Sequence, residues 1–151
     1  MNIEKKLSEW QLELPAPSNP GGSYTPVNIR GKVAYVAIQF PIINGELQYK
    51  GRFGDDLSTE DGYKAMQLAV LNVLSQINDK IGFDNIEGLN HMDAYYQSGE
   101  NWNEAPRVVD GASDLFLHVL GAKGTHSRAI FGVHKLYGNL SVAITCHFTL
   151  K

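Results

Sequence analysis

The sequence predicts an α+β fold in which one mixed sheet carries two helices on one face. Two long segments have apolar residues at steps of three and four, and several short segments alternate apolar with polar residues. Each helical segment has one apolar stripe, so both need the same kind of partner, and one sheet face supplies it. The predicted order is β-β-α-β-α-β-β, and we expect residues 1–151 to form a single domain.

Residues 1–23 are predicted to form a short helix followed by an extended segment. Apolar residues in 2–12 have the spacing of an amphipathic helix. Three prolines and two glycines then follow between positions 15 and 22, and they exclude a helix there.

The next two predicted strands cover residues 25–29 and 33–40, with a turn at 30–32. Alternation gives the second strand one apolar face and one mixed face. The apolar face holds Ala34, Val36, Ile38 and Phe40, and the mixed face holds Val33, Tyr35, Ala37 and Gln39.

Residues 44–45, Asn-Gly, are a hairpin signal, and a short return strand is predicted over 47–49. Ser58 followed by Asp61 resembles a capping box, so the first long helix should begin there and end at Gly82. Its apolar stripe consists of Met66, Ala69, Val70, Val73, Leu74, Ile77 and Ile81.

The second half of the chain is predicted to contain a strand at 86–96 with poor alternation, a helix at 103–120, and strands at 127–134 and 140–150. The last strand alternates cleanly, which leaves one sheet face small and mixed. That face presents Ser141, Ala143, Thr145, His147 and Thr149, and we expect another subunit to cover it.

Composition restricts the classes of function. A formal net charge of -3 and the lack of a basic run argue against nucleic-acid binding. No apolar run approaches the roughly 20 residues of a spanning helix, and no secretory signal is recognisable, so we expect a cytoplasmic protein without a membrane partner. Five histidines lack metal-ligand spacing, so we expect no metal and no cofactor. The single cysteine, Cys146, falls in the apolar register of its strand and should be buried.

Arg128 is the best candidate functional residue. It opens a strand after a glycine-containing loop, and no acidic residue is adjacent to it in sequence. If it points to the mixed sheet face, its guanidinium can bind a carboxylate with two parallel hydrogen bonds. The alternative is a structural salt bridge to an acid elsewhere, such as Asp110 or Asp114.

Three segments together resemble the RidA family, also called YjgF or L-PSP endoribonuclease-like, in its longer branch of about 150 residues. They are residues 14–27 (LPAPSNPGGSYTPV), 109–115 (VDGASDL) and 124–133 (GTHSRAIFGV). The resemblance covers nearly the whole chain in the family's order. It implies a fold like that of the trimeric chorismate mutases, with three sheets closing a central barrel and a ligand cleft at each subunit interface.

The family's founding activity is hydrolysis of 2-imino acids to 2-oxo acids and ammonia. In the family, an arginine holds the substrate carboxylate, a tyrosine and a serine line the cleft, and a glutamate positions the attacking water. Arg128 matches the arginine, as a catalytic and ligand-binding residue. Tyr24 matches the tyrosine, although it can equally pack beneath the proline-rich segment.

Other positions depart from the family's pattern. Ala37 and Ile38 stand where the family reads Ser-Gly before a glutamine, Asp110 replaces an asparagine, and Ala143 replaces the water-positioning glutamate. Loss of such an acid typically lowers a rate by about 10²- to 10⁴-fold. The resemblance therefore implies a homotrimer that binds a small carboxylate or carbonyl metabolite, a 2-oxo or 2-imino acid, at these residues.

That protein would have at most weak or altered deaminase activity. The alternative is a genuine imine or enamine deaminase that acts on an unusual substrate with a different base. Ribonuclease activity is implied only by the family's second name, and the acidic composition disfavours it.

Overall fold

The computed structural model describes residues 2–151. Its elements follow the predicted order, together with the predicted short helix at the start and the predicted hairpin around residues 44–45. They are α1 (Ile3–Glu9), β1 (Val27–Arg30), β2 (Val33–Gln39), β3 (Ile42–Ile43), β4 (Glu46–Leu47), α2 (Thr59–Lys80), β5 (Ile86–Tyr96), α3 (Ala105–Leu120), β6 (Ser127–Gly132) and β7 (Val142–Leu150).

Five strands form one mixed sheet, as predicted, and their order in the sheet is β1-β2-β7-β5-β6. Neighbouring strands are antiparallel except β5 and β6, which are parallel and joined through α3. β3 and β4 form a separate hairpin. The two edge strands of the sheet are therefore β1 and β6.

The two long helices pack on one sheet face and on each other. Ser58 and Asp61 form the predicted capping box at the start of α2, each side chain accepting from the other residue's backbone N–H. Where α3 crosses α2, a β-carbon at Gly111 would collide with the backbone carbonyl of Tyr63. Glycine at this position is what allows the two helices to approach so closely.

The hydrophobic core fills the space between the helices and the sheet. Ile3 and Leu7 of α1 are buried in it, so the N-terminal helix belongs to this core. Cys146 is also buried, as predicted, and burial raises the pKa of its thiol. No helix within residues 2–151 is long and apolar enough to span a bilayer.

A β-bulge in β2 corrects the face assignments at the end of that strand. Val36 pairs with Cys146 and Gln39 with Ile144, so three steps along β2 match two along β7. The extra residue turns Gln39 away from the predicted mixed face to the helix side, where it is 5% exposed. Ala37 and Ile38, at the bulge itself, are half-buried.

Two further bulges explain the poor alternation of β5. Its register shifts between Ile86 and Gly88 and again between Leu89 and His91. Each bulge inserts one residue, so the buried side chains fall at steps of three, at Ile86, Leu89 and Met92. Strict alternation of apolar and polar residues therefore does not describe this strand, although the side chains that face the core are all apolar.

The sheet face opposite the helices carries larger side chains than predicted; we call it the open face. Tyr95 of β5 stacks on Phe131 of β6, with 5.5 Å between ring centroids, and Tyr35 lies 5.5 Å from His147. Tyr35 and Phe131 are 49% and 45% exposed. The open face therefore presents exposed aromatic surface.

Candidate functional site

A pocket of about 320 Å³ lies between the N-terminal extended segment, β2 and α2. It brings together three residues selected from the sequence: Tyr24, Ala37 and Ile38. The Tyr24 hydroxyl accepts a hydrogen bond of 3.1 Å from the backbone N–H of Gly21, which holds the extended segment over the pocket. Tyr24 is half exposed, so its ring is a wall of this pocket rather than a core residue.

Three buried amide side chains complete the pocket: Gln39 of β2 with Asn72 and Gln76 of α2. They are 5%, 4% and 1% exposed, and they are half of the six buried polar residues found within 2–151. The bulge in β2 is what brings Gln39 to this side of the sheet. We call the pocket lined by these three side chains the amide pocket.

The sequence prediction missed these amides, and for two reasons. Strand alternation placed Gln39 on the wrong face because the bulge was not recognised. In α2, the apolar stripe was treated as the only buried surface, whereas the helix is buried almost all round between Ala65 and Ile77. Polar residues at 72 and 76 inside such an apolar helix were the available signal.

Arg128 lies at the other edge of the sheet, on β6. It pairs with Met92, whose side chain is in the core, so Arg128 points toward α3 and not to the mixed face on which its interpretation depended. That interpretation of its orientation is wrong. The cause is the parallel pairing of β6 with β5, which places Arg128 and Ile130 on the helix side.

The Arg128 side chain is held by α3. Its Nη1 donates to Asp110 Oδ1 at 2.8 Å and to Ser113 Oγ at 3.0 Å, so the salt bridge considered as the alternative is present. Nη2 makes only a long contact, 3.5 Å, with the Pro106 carbonyl. With 26% of the side chain exposed, one edge of the guanidinium can still receive an acceptor. We call Arg128, Asp110 and Ser113 the arginine cluster.

His126 extends the arginine cluster. Its Nδ1 lies 2.6 Å from the Gly124 carbonyl, which can only accept, so Nδ1 carries the hydrogen of the neutral ring. Nε2, 2.9 Å from Ser113 Oγ, then accepts from that hydroxyl. Each group on this side therefore has a partner within the chain, and the hydrogen bonds fix the direction in which Arg128 points.

Tyr63 and Asp114 border the arginine cluster on its solvent side. The Tyr63 hydroxyl donates to Asp114 Oδ2 at 2.7 Å. Burial, together with this hydrogen bond and the negative charges of Asp114 and Asp110, raises the pKa of Tyr63 to about 12. Asp114, the other acid considered as an Arg128 partner, is thus occupied by a tyrosine instead.

Ala143 belongs to neither the amide pocket nor the arginine cluster. It pairs with Tyr95 in the centre of the sheet, and none of its surface is exposed. The position that corresponds to the family's glutamate therefore offers a buried methyl group.

Within one chain the selected residues fall into two separate places. The amide pocket adjoins β2 and the arginine cluster adjoins β6, with β7 and β5 between them. Three interstrand steps of about 4.8 Å separate the two strands by about 14 Å. A single copy of the chain therefore holds these residues in two separate groups, one neutral and one charged.

Two solved structures share the architecture of this chain, and a third protein is similar to it in sequence. A structure from Shewanella oneidensis is 31% identical, with a TM-score of 0.95 and coverage of 99% of this chain and 100% of the other. Protein Atu1372 from Agrobacterium tumefaciens is 30% identical, with a TM-score of 0.91 and coverage of 99% and 92%. Protein TCP17 of Trypanosoma cruzi is 28% identical over 136 residues, which are 89% of this chain and 85% of TCP17.

The family profile described as "YjgF/chorismate mutase-like, putative endoribonuclease" matches residues 4–148. This match spans α1 to β7 and includes the residues of the amide pocket and of the arginine cluster. Together with the sheet order and the two helices on one face, it establishes that the chain belongs to the YjgF/chorismate mutase-like family.

Proposed function

We propose that the chain acts as a cytoplasmic homotrimer whose intersubunit clefts bind a small carboxylate or carbonyl metabolite, a 2-oxo or 2-imino acid. The observation that carries this proposal is the separation of the amide pocket, beside β2 and one strand in from the edge, from the arginine cluster on the opposite edge strand β6. In a ring of identical subunits, one edge of each copy meets the opposite edge of the next. Such an assembly joins the amide pocket of one subunit to the arginine cluster of its neighbour.

Exposed apolar side chains at both edges support the ring. Ile29 on β1 and Phe131 on β6 are 41% and 45% exposed. Both strands also end the sheet with unpaired backbone groups, which favour contact with another chain. The exposed aromatic residues of the open face supply further surface for burial in the assembly.

Within the cleft, Arg128 is the carboxylate anchor. Its Nη2 makes only the long contact to Pro106, so a ligand carboxylate can take up that donor. Asp110 holds the other nitrogen and orients the guanidinium. The same negative charge repels an incoming carboxylate, so Asp110 limits affinity while it fixes geometry.

Binding is favoured over rapid turnover because no acid occupies the Ala143 position. Hydrolysis of a 2-imino acid needs water added to the imine carbon, transfer of its proton, and departure of ammonia to leave a 2-oxo acid. A buried methyl group can neither orient that water nor take its proton. Positioning by Arg128 can still give some acceleration.

Assembly and ligand binding are tested together. Light scattering should give a mass of about three chains at micromolar concentration. Calorimetry with 2-oxobutyrate should show binding that Arg128→Ala abolishes and that Arg128→Lys weakens, because lysine keeps the charge but loses the planar fork. A monomeric mass, or equal binding by wild type and Arg128→Ala, would contradict the proposal.

Catalysis is tested with 2-iminobutyrate generated by an amino-acid oxidase, with semicarbazide capturing the imine that is left. Wild type should hydrolyse it about 10²-fold or more slowly than a family member that keeps the glutamate. Introducing the acid by Ala143→Glu, with Ala37→Ser beside it, should raise the rate, whereas Ala143→Gln should not. If wild type matches the active relative, another residue supplies the base and the alternative of a genuine deaminase is favoured.

A further inference from the structure

One acceptor of the amide pocket is buried without a partner. Gln76 is 1% exposed, and its Oε1 receives no hydrogen bond from any group in residues 2–151. Its Nε2 donates 2.9 Å to the Ser18 carbonyl. Because a carbonyl can only accept, the amide cannot be flipped, and Oε1 must be the unpartnered atom.

The neighbouring amides are oriented in the same way. Asn72 Nδ2 donates to the carbonyls of Phe40 and Ile42, at 2.8 and 2.9 Å. Gln39 Nε2 donates to the Ala37 carbonyl at 3.0 Å. Each amide thus uses its nitrogen to hold nearby backbone. This leaves the side-chain oxygens of the three buried amides as acceptors.

The pocket is also uncharged. Every lining side chain, within the described residues 2–151, is neutral. An ammonium, a guanidinium or a carboxylate would lose its hydration here without a counter-charge, and a carboxylate would also meet the buried oxygen of Gln76, which can only accept. The group that matches is a neutral nitrogen carrying N–H.

We propose that the amide pocket binds a carboxamide-type tail, a carboxamide, carbamoyl or ureido group, of the ligand whose carboxylate Arg128 anchors. This inference rests on the proposed trimer for the carboxylate end. Gln76 Oε1 accepts from the tail's N–H, and the rings of Phe40 and Tyr137, 5.8 Å apart, lie in the same pocket wall. About 320 Å³ is ample for such a tail.

Three ligands of equal size separate the possibilities: succinamate, succinate and 4-methylpentanoate. They carry the same carboxylate and end in a carboxamide, a second carboxylate or an isopropyl group. By calorimetry on the wild-type protein, succinamate should bind about 10-fold more tightly than 4-methylpentanoate, and succinate should bind most weakly. Equal binding of succinamate and 4-methylpentanoate would overturn the inference, because water would then satisfy Gln76 as well as the ligand does.

A matched pair of variants tests the residue. Gln76→Met removes the acceptor at nearly constant side-chain length and should erase the preference for succinamate over 4-methylpentanoate. Ser75→Ala is the control, since Ser75 Oγ donates to the Pro15 carbonyl at 2.6 Å and tethers the same segment without lining the pocket. It should keep the preference. If Gln76→Met keeps it too, Gln76 is not the acceptor.

If Arg128 does not bind the carboxylate of the ligand, the experiments give a different result. In that case none of the three acids, nor 2-oxobutyrate, binds in a manner that depends on Arg128. Chemical-shift changes on titration with butyramide then report on the pocket alone. Changes at Gln76 and Asn72 in wild type, with those at Asn72 lost in Gln76→Met, support the donor preference even if the proposed trimer function is wrong; no change at Gln76 in wild type overturns the inference.

Discussion

The arginine cluster and the amide pocket differ in how their polar groups are hydrogen-bonded within the chain. In the arginine cluster, charges neutralise each other within the chain, and Asp110, Ser113 and His126 each have a partner. In the amide pocket, neutral groups fix the backbone with their nitrogens and leave an acceptor open, that of Gln76. The difference teaches that the arginine cluster leaves only the loosely held Nη2 of Arg128 open to a ligand, whereas the amide pocket lacks a donor that a ligand, water or a partner can supply.

The first test compares how tightly the residues beside the arginine cluster and those beside the amide pocket are packed. Gly111→Ala should lower the free energy of unfolding by about 3 kcal/mol, because its methyl group meets the Tyr63 backbone where α3 crosses α2. Thermal or urea unfolding measures this.

The matched substitution on the other side is Gly21→Ala at the rim of the amide pocket. There a β-carbon would meet only the Tyr24 hydroxyl, at 3.9 Å. The change should be under about 1 kcal/mol and in the stabilising direction, because alanine restricts the unfolded chain. Similar losses for both substitutions would show that the rim is as tightly packed as the helix crossing.

The second test removes the charge that competes for Arg128. Asp110→Asn should tighten 2-oxobutyrate binding by about 10-fold, because it removes a carboxylate that occupies the guanidinium and repels the ligand. Calorimetry at constant ionic strength measures the change. Asp114→Asn is the control: it removes an equal charge nearby but breaks a bond to Tyr63 instead. Equal gains from both would indicate general electrostatics rather than release of Arg128.

The smallest expected effect is a pH dependence. The pKa of Tyr63 is raised from 10.0 to about 12 in the folded protein, so its contribution to stability is complete below pH 10 and is lost as the pH rises toward 12. Tyr63→Phe should therefore lose less stability than wild type over that interval. Unfolding midpoints at several alkaline pH values give the comparison, and parallel curves would mean that the hydroxyl does not titrate with folding.

Much of the fold could be predicted because helix periodicity and caps are local signals. The apolar stripe of α2 and its Ser58–Asp61 capping box could both be recognised in the sequence. The strands were found too, including β5, but the direction of their side chains was not always right. Register depends on pairing with β7, and the three bulges in β2 and β5 arise from that pairing rather than from either strand alone.

The site was predicted in part for the same reason. Tyr24, Ala37 and Ile38 do share a pocket, and Asp110 does contact Arg128. Arg128 was assigned to the wrong side because the parallel β5–β6 pairing could not be read from β6 itself. Gln39, Asn72 and Gln76 come from two elements more than 30 positions apart, and only their packing reveals them as one group.

The bulge in β2 makes the pocket depend on how many residues separate two positions, not only on which residues they are. Regular alternation over the same number of residues would carry the Gln39 amide through the sheet to the open face, and Asn72 and Gln76 would lose their third member. One residue fewer between Val36 and Gln39 would remove the bulge and leave Gln39 on the helix side. A relative with one residue fewer here can therefore keep the pocket without the bulge, whereas a relative of the same length needs the bulge, and residue count in this segment is the feature by which such relatives should be sorted.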